Sequence, residues 1–557
     1  MPAAFFFDPD AYFTEERVLV GRRAAGAAFL RAAVEGRGRD PLTFYAGRKK
    51  NLDQLNEAIR SIDSAAKADW IPINRTDMLA KVGTMFRPDP ALGGDGRIRL
   101  RSGPAAYSLC GITHTVSSAR ALEAISQLVA EPVMPWDALI CTSTAALGVV
   151  KAELEATLDH HRWRMKLSEM PPMLQLPVIP LGVHCRDHAP SEDRRQAARK
   201  TLGIAEDEVA VLFAGRLSFA TKAHPYQMYR GLALSAERTG KKVVLVQAGQ
   251  ANSESAGVAI RDATAAYSGD VRALFVDGTD TALYAAAYSG ADIFMSLSDN
   301  IQETFGITPV EAMAAGLPVI VSDWNGYRDT IRDGVDGFRI TTRAPQAGGP
   351  GRRFARAYHL DQQYEMFTLK ASSAVSMDFA ELVDRLADLI DSPELRRRMG
   401  EAGRARAVGD YDWSVIYRRY RELWTELGKR RRHALADREQ AAWIARAPWS
   451  SPAHQDPFHI FAHYPTRTIG PATIVRTAPG AVPADIVPLA GQPIFQHWQV
   501  DPAAASALLG AVIDESRTIA SLAGIVKLDV ASTIQLAANL AKLNLLLIED
   551  GGGGASS

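Results

Sequence analysis

The sequence predicts an α/β protein with two Rossmann-like, doubly wound parallel sheets in tandem and a smaller domain after them. Short β-branched runs alternate with amphipathic helical stretches from about residue 15 to residue 340, which is typical of βαβ units. Several runs are almost wholly apolar, as expected for strands buried on both faces. A polar stretch after Pro180 and Gly182 interrupts the series near residues 182–195, which predicts a hinge between two sheets.

The strand candidates fall into two groups, one on each side of this hinge. Those of the first group are 42–45, 106–110, 138–141 and 176–179, and those of the second are 209–214, 243–247, 273–276, 293–297 and 319–322. Two such sheets in tandem form a cleft at the carboxyl ends of their strands, where ligands bind. We therefore expect the functional residues to follow the predicted strands directly.

The same patterns predict the domain boundaries. We expect an N-terminal Rossmann-like domain on the acceptor side over 1–190, a second Rossmann-like domain over 191–428, a basic linker over 429–454, a small domain over 455–550, and a flexible tail over 551–557. The end of the small domain resembles a winged-helix pattern, with two helices followed by a strand.

Composition narrows the class of protein. Lys plus Arg and Asp plus Glu both number 63, which argues against nucleic acid as the main partner. The three cysteines show no metal-ligand spacing and predict reduced thiols in a cytoplasmic protein. We expect neither a signal peptide nor a membrane-spanning segment. The basic run Lys429–His433 could touch anionic lipid at the inner membrane face, although such runs more often form a solvated helix end.

The stretch ETFGITPVEAMAAGLPVI is the most informative part of the chain. It follows the strand predicted to end at Leu297, and Thr308 and Pro309 are expected as the N-cap and first residue of a short helix. A helix that begins at the carboxyl end of a strand presents free amides and a positive dipole end, which suit a diphosphate. Taken alone, Glu311 is explained equally well as part of a capping box with Thr308, and Glu303 as an exposed loop acid.

Seven residues separate Glu303 from Glu311. This spacing and its surroundings strongly resemble the E-x7-E signature of retaining glycosyltransferases of glycosyltransferase family 4, the group 1 family. The resemblance implies the GT-B fold, in which two Rossmann-like domains enclose the active-site cleft. It also implies that Glu311 holds the ribose hydroxyls of a nucleotide, and that Glu303 holds hydroxyls of the transferred sugar. Carboxylates suit both tasks because they accept hydrogen bonds from neighbouring hydroxyls.

A second match lies upstream in VAVLFAGRLSFATKAHP. Arg216 and Lys222 follow a predicted strand and resemble the family's Arg/Lys pair, which neutralises the donor diphosphate. Fixed cations stabilise the negative charge that develops on the leaving group. One additional residue separates the two here, and a solvated loop with ordinary cations is the alternative. The donor-binding residues implied by the resemblance are Gly215, Arg216, Lys222, Gly249, Gly278, Glu303, Phe305, Gly306, Ile307, Thr308 and Glu311.

The first half of the chain matches the family less closely. His114 follows a predicted strand and resembles a histidine that contacts the donor sugar, although a structural histidine at a strand end is the alternative. The run GRRAAG, from Gly21 to Gly26, resembles the family's N-terminal glycine-rich loop or is an ordinary turn. The resemblance thus implies a catalytic set of His114, Arg216, Lys222 and Glu303.

These matches imply a hexosyltransferase that moves a sugar from a nucleoside-diphosphate sugar to a glycan, glycolipid or protein with retention of anomeric configuration. The resemblance implies no metal and no cofactor beyond the nucleotide-sugar co-substrate. A sugar-nucleotide epimerase or glycan phosphorylase of the same architecture, and a non-catalytic binding scaffold, are the alternatives. The stretch 410–424 resembles the family's closing helix, and the roles of Trp324, Tyr327 and Arg328 stay open. The C-terminal segment 501–550 has three cations against six acids, which favours docking or dimerisation over nucleic-acid binding.

Overall fold

The computed structural model describes residues 3–8, 12, 21–38, 40–47, 50–167, 169, 171–486 and 501–549. The predicted tail 551–557 lies outside these residues. The chain divides into two compact units, Met1–Pro452 and Ala453–Ser557, which are described separately.

The first unit begins with a six-stranded parallel sheet in the order β3-β2-β1-β4-β5-β6. This is the strand order of a Rossmann fold. Its strands are β1 (Ala4–Phe6), β2 (Leu42–Ala46), β3 (Ala68–Pro72), β4 (Thr84–Phe86), β5 (Ser108–Ile112) and β6 (Ala138–Ile140). Its helices are α1 (Gly21–Gly36), α2 (Lys50–Ile62), α3 (Thr76–Val82), α4 (Gly93–Arg99), α5 (Ala119–Gln127) and α6 (Thr144–Met165).

The second sheet of this unit is also parallel and six-stranded, in the order β12-β11-β10-β7-β8-β9. Its strands are β7 (Glu208–Ala214), β8 (Lys242–Gly249), β9 (Arg272–Asp277), β10 (Ile293–Ser296), β11 (Val319–Ser322) and β12 (Gly337–Ile340). The helices between them are α7 (Glu192–Leu202), α8 (Tyr226–Thr239), α9 (Glu254–Tyr267), α10 (Thr281–Gly290), α11 (Ile307–Ala314) and α12 (Tyr327–Thr330). The prediction of two tandem doubly wound sheets is therefore confirmed.

The remainder of the second domain is mainly helical. A short hairpin, β13 (Thr342–Arg343) and β14 (Ser376–Met377), encloses two helices, and further helices continue to residue 444. These helices are α13 (Pro350–Asp361), α14 (Tyr364–Ser372), α15 (Phe379–Asp391), α16 (Pro393–Arg406), α17 (Trp413–Ala436) and α18 (Arg438–Ile444).

Helix α17 returns to the first domain. The Tyr420 ring lies 5.5 Å from that of Phe29, and the Trp424 ring lies 6.0 Å from that of Phe86, both between centroids. Trp424 and Tyr420 are fully buried in the core of the first sheet. The basic linker predicted to begin at residue 429 is wrong at this end, because α17 continues through residue 436. The apolar stripe of the helix packs on the first domain, so the basic residues extend a helix that packing already stabilises.

Other sequence expectations about strands need correction. Residues 176–179 form no ladder, and Val178 makes only an isolated bridge with Cys141. The strands β1, β3, β4 and β12 were not among the candidates. Each is only three to five residues long. Runs of that length carry little periodicity, and the neighbouring strands supply the stabilisation.

The second unit contains a three-stranded antiparallel sheet in the order β16-β15-β17. Its elements are β15 (Ile474–Thr477), β16 (Arg517–Thr518), β17 (Leu546–Glu549), α19 (Pro457–Ile460), α20 (Pro502–Ala511), α21 (Ile519–Val526) and α22 (Val530–Lys542). Leu508, Leu522 and Leu540 form part of its core.

The winged-helix assignment of this unit stays a prediction. Among the described helices none is alone long and apolar enough to cross a membrane, and only α21 and α22, bent by 102°, pass together on length and composition.

Candidate functional site

The two sequence motifs meet at the switch point of the second sheet. Strands β7 and β10 are neighbours there, and the chain leaves them towards opposite sides of the sheet, which opens a crevice at their carboxyl ends. Lys222 lies in the loop after β7, and Glu303 lies in the loop after β10. Lys222 Nζ donates to Glu303 Oε2 at 2.5 Å, although 81 positions separate the two residues.

This ion pair is mostly shielded from solvent, with side-chain exposures of 14% for Lys222 and 16% for Glu303. Burial by itself raises the pKa of Glu303, but the Lys222 charge and hydrogen bond outweigh it and leave this pKa below its ordinary value. Burial would lower the pKa of Lys222, but Glu303 raises it above the ordinary lysine range. Each partner therefore keeps the other charged.

The loop from Arg216 to Lys222 is held in place by two residues that follow β10. Ser298 Oγ donates to the Lys222 carbonyl at 3.1 Å, and Asn300 Nδ2 donates to the Ala220 carbonyl at 2.8 Å. The partly buried Arg216 guanidinium makes no hydrogen bond or ion pair with any residue that the structure describes. Its charge nevertheless acts on Lys222, whose pKa it lowers slightly. The loop thus presents one paired and one unpaired cation.

Three glycines mark the carboxyl ends of β7, β8 and β9. Gly215 has φ of 141°, and a Cβ on Gly249 would lie only 1.8 Å from the Gly215 carbonyl oxygen. A Cβ on Gly278 would lie 3.0 Å from Gly249 Cα. The structure therefore brings Gly215, Gly249 and Gly278 together beside Arg216, where the positive φ of Gly215 and the close backbone at Gly249 and Gly278 favour glycine.

Helix α11 begins two residues earlier than the sequence suggested. Gly306, with φ of 81°, is the N-cap and Ile307 is the first helical residue. The prediction of Thr308 as N-cap is wrong, because only glycine fits here: a Cβ on Gly306 would lie 2.0 Å from the ring of Tyr327. The Thr308 hydroxyl is buried and has no hydrogen-bond partner among the described residues. Phe305 is buried and contributes to the core, so only its backbone faces this site's polar groups.

Glu311 lies in the middle of α11. Tyr288 Oη donates to Glu311 Oε2 at 2.8 Å. The capping-box alternative for Glu311 fails, because Thr308 is not the N-cap. One carboxylate oxygen of Glu311 is thus held by a tyrosine, and no hydrogen bond or ion pair from the described residues engages the other.

His114 approaches the site from the first domain. Its carbonyl accepts a 2.5 Å hydrogen bond from Thr304 Oγ1, one residue after Glu303, and Ser143 Oγ donates to the Thr304 carbonyl at 2.6 Å. The structure therefore places the His114 loop beside the Glu303 loop.

Gly21 and Gly26 do not lie in a loop, because residues 21–36 form helix α1. The predicted glycine-rich loop over 21–26 is wrong: alanines and long side chains surround the two glycines and favour a helix.

Sequence reasoning missed Asp329 and Thr144 and left the roles of Trp324 and Tyr327 open. Asp329 accepts hydrogen bonds of 2.6 Å from both the backbone N–H and the hydroxyl of Thr144, at the start of α6 in the other domain. Trp324 Nε1 donates to the Asn300 carbonyl at 3.1 Å, and Tyr327 Oη lies 2.8 Å from Ser296 Oγ. The only signal for these roles was the run DWNGYRD itself, and no periodicity predicts contacts between domains.

Asp299 was also missed. It is 5% exposed, and its Oδ1 atom has no hydrogen-bond partner in the described part of the chain. Burial raises its pKa to about 7, against the smaller opposing effect of backbone N–H groups including that of His224. A buried carboxyl of this kind next to the Lys222 loop is a titratable group close to the candidate site.

Comparison with known proteins supports the family resemblance. Residues 194–351 match the family model described as Glycosyl transferases group 1. This segment contains Arg216, Lys222, Glu303 and Glu311, so the predicted resemblance is confirmed for it. The match covers the core of the second domain and not the first domain or the C-terminal unit.

Two curated relatives each align with less than a third of the chain. D-inositol 3-phosphate glycosyltransferase of Geodermatophilus obscurus is 31% identical over 172 residues, which are 30% of this chain and 37% of the relative. Phosphatidyl-myo-inositol mannosyltransferase of Mycobacterium leprae is 36% identical over 143 residues, or 26% and 28% of the two chains. The chain therefore spans less than two fifths of the length of either relative. The solved structure of Anabaena HepE with UDP-glucose has 14% identity and a TM-score of 0.48, covering 76% of this chain and 99% of that one.

Proposed function

We propose that this chain, through the group 1 glycosyltransferase segment of its second domain, transfers a hexosyl group from a nucleoside-diphosphate sugar to an acceptor hydroxyl with retention of configuration. The observation that carries the proposal is the Lys222–Glu303 ion pair at the switch point, beside the N-terminus of α11. A cation beside a helix N-terminus suits a diphosphate, and a carboxylate beside both suits a sugar hydroxyl.

Arg216 and Lys222 would hold the diphosphate of the donor. The Arg216 guanidinium has no partner among the described residues, so it can pair with phosphate without breaking a protein contact. The first amides of α11 and the unpartnered Thr308 hydroxyl supply further donors. These groups stabilise the charge that the leaving diphosphate gains as the glycosidic bond breaks.

The two glutamates would orient the rest of the donor. The oxygen of Glu311 that Tyr288 does not engage can accept from ribose hydroxyls. Glu303, kept ionised by Lys222, can accept from hydroxyls of the transferred sugar. Retention then follows a front-face attack, in which the departing phosphate takes the proton of the acceptor hydroxyl. His114, on the loop joined to Thr304, would contact the sugar from the first domain.

The acceptor proposed is a glycan, a lipid-linked sugar or a protein. Two relatives, an inositol phosphate glycosyltransferase and a phosphatidylinositol mannosyltransferase by name, support an acceptor with several hydroxyls, including a glycolipid. We place the enzyme in the cytoplasm, with peripheral contact at the inner membrane face, and assign docking or self-association to the C-terminal unit.

Thermal shift with a ligand panel tests the donor site. UDP-glucose, GDP-mannose, ADP-glucose and the free diphosphates are added to the wild type, to Glu311→Ala, and to Glu155→Ala as a control at an exposed glutamate of α6. Because a ligand that binds only the folded state raises stability, one nucleotide should raise the melting temperature of the wild type and the control but not of Glu311→Ala. A wild type that responds to none of them would contradict the proposal.

A chelator tests the absence of a metal requirement. We expect release of nucleoside diphosphate from the donor to proceed unchanged in excess EDTA, because two cationic side chains and a helix N-terminus already face the phosphates. Loss of turnover that Mg²⁺ or Mn²⁺ restores would show instead that a metal ion performs part of this neutralisation.

A further inference from the structure

A helical insertion separates β12 from α15 in the second domain. The two-residue strands β13 and β14 pair at its base, with Thr342 opposite Met377, and α13 and α14 form its body. The ring of Tyr358 on α13 stacks on that of Phe367 on α14, with centroids 4.7 Å apart and an interplanar angle of 9°. The insertion is therefore an ordered unit whose two helices pack on each other.

The insertion is attached to the loop from Arg216 to Lys222 in the second domain. Thr368 of α14 is fully buried and its Oγ1 donates to the Ala220 carbonyl at 2.9 Å. Ala220 lies between Arg216 and Lys222, so movement of α14 relative to the sheet would disturb the loop that carries both cations.

The insertion also reaches the first domain, where it contacts the loop that carries His114. Tyr364 Oη lies 2.7 Å from Ser117 Oγ and 3.5 Å from Thr115 Oγ1. Tyr358 Oη accepts a 3.0 Å hydrogen bond from the backbone N–H of Ala119, at the start of α5. Such first-turn amides lack a partner within their own helix. The Tyr358 hydroxyl therefore accepts the hydrogen bond of an amide that no carbonyl of α5 can accept.

The first domain contacts this loop at its beginning. There the Thr113 amide donates to the Ile140 carbonyl at 2.9 Å, and Thr113 Oγ1 accepts from the Thr142 amide at 3.3 Å. Further along the loop the second domain supplies two contacts: Thr304 Oγ1 donates to the His114 carbonyl, and Tyr364 Oη lies 2.7 Å from Ser117 Oγ. The stretch from His114 to Ser117 is therefore attached to the opposite domain at both of its ends.

We propose that Tyr364 and Tyr358 are positioning residues, which hold the His114 loop over the donor site and so set the rate of sugar transfer. This inference rests on the proposed function. It assigns a role to a part of the chain, residues 342–377, that contains none of the residues named in the donor site. Because a small misplacement of a group near the reacting atoms costs rate more than binding, the insertion should act on kcat.

The kinetic test uses Tyr364→Phe, Ser117→Ala and the double variant. The matched control is Tyr267→Phe, which removes a hydroxyl from a half-exposed tyrosine of α9. Release of nucleoside diphosphate is measured with whichever of UDP-glucose, GDP-mannose or ADP-glucose the wild type turns over, and the Kd of that donor is measured by calorimetry. Each single variant should lower kcat about tenfold with KM and Kd within about twofold of wild type. The double variant should be no slower than either single one, because both remove the same contact.

Hydrogen exchange supplies a readout that is independent of turnover. Amide exchange in the peptide covering 113–120 should be faster in Tyr358→Phe and Tyr364→Phe than in Tyr267→Phe. Unchanged kcat and unchanged exchange in a protein that still transfers sugar would overturn the positioning role and leave the proposed function standing. A fall in kcat matched by a loss of donor binding would also overturn it, because the insertion would then act on affinity. A wild type that neither binds nor turns over any donor would remove the proposed function and this role together.

Discussion

Lys222 Nζ lies 2.5 Å from Glu303 Oε2, so the loop after β7 and the loop after β10 are joined by a largely buried ion pair. Removal of one partner leaves an unpaired charge in a partly desolvated place. We expect Lys222→Ala to abolish turnover, to raise the pKa of Glu303, and to lower the free energy of unfolding of this domain by about 3 kcal/mol. Urea denaturation of the variant measures the loss.

A double-mutant cycle with Glu303→Gln tests whether this loss arises from the pair itself. The loss of unfolding free energy in the double variant should be smaller than the sum of the losses in the two single variants, because the second change removes the unpaired charge. The control is Lys242→Ala, which breaks a pair with Asp207 whose side chains are 72% and 61% exposed, and which should leave stability unchanged. Additive effects at Lys222 and Glu303 would show that the two side chains are not coupled in solution.

Arg216 offers a cation that no described residue of the protein engages. Arg216→Ala should therefore leave the melting temperature of the free protein unchanged, while the Kd of the nucleoside diphosphate rises roughly 10- to 100-fold, as expected for a lost charged hydrogen bond. Isothermal titration measures the Kd, with Arg230→Ala on the exposed side of α8 as the control. Equal affinities of the Arg216 variant and wild type would remove Arg216 from the donor site.

Asp329 caps helix α6 of the opposite domain through two contacts of 2.6 Å with Thr144. Asp329→Ala removes both contacts, and we expect the two Rossmann-like domains to separate more readily. The radius of gyration from small-angle scattering should increase and turnover should fall, while donor affinity is kept. Asp329→Asn, which retains an acceptor oxygen, should recover part of the turnover, and Asp270→Ala at an exposed turn is the control. A scattering profile identical to that of wild type would show that Asp329 does not hold the two domains together.

Asp299 should make stability depend on pH. Burial raises its folded-state pKa to about 7 from an ordinary value of 3.8, so the folded protein holds this proton more tightly than the unfolded chain does. Its contribution to stability is complete below pH 3.8 and is lost as the pH rises through 7. Asp299→Asn cannot ionise, so its melting temperature relative to wild type should increase between pH 5 and pH 8. Asp270→Asn, exposed to solvent, should show no such trend, and a constant difference at Asp299 would contradict a raised pKa.

Much of the second domain could be predicted from the sequence. The runs that became β7, β8, β10 and β11 are apolar and long enough to be recognised, and the glycines and charged residues after them mark strand ends. The E-x7-E spacing identified the α11 region and its family, which the match over residues 194–351 confirms. The first domain was harder, because three-residue strands such as β1 and β4 have no periodicity to detect.

The start of α11 shows why local rules fail at such a site. Threonine is a common N-cap residue, which favoured Thr308. The N-cap is instead Gly306, where the Tyr327 ring leaves no room for a Cβ. Tyr327 comes 21 positions later, so no local pattern contains the clash. The same holds for the partner of Glu311, which is Tyr288 of α10 and not the hydroxyl three residues before it.

The sequence by itself determined which chemical groups this protein possesses and where along the chain they lie: two acids with seven residues between them, two cations after a buried strand, and two sets of alternating strands and helices. Their pairing was decided only by the tertiary structure. The order of the second sheet makes β7 and β10 neighbours and so brings Lys222 to Glu303. The packing of the two domains joins Thr304 to His114 and Asp329 to Thr144. Such contacts depend on sheet topology and domain closure, which are set by the burial of whole apolar faces and leave no trace in the spacing of the residues that meet.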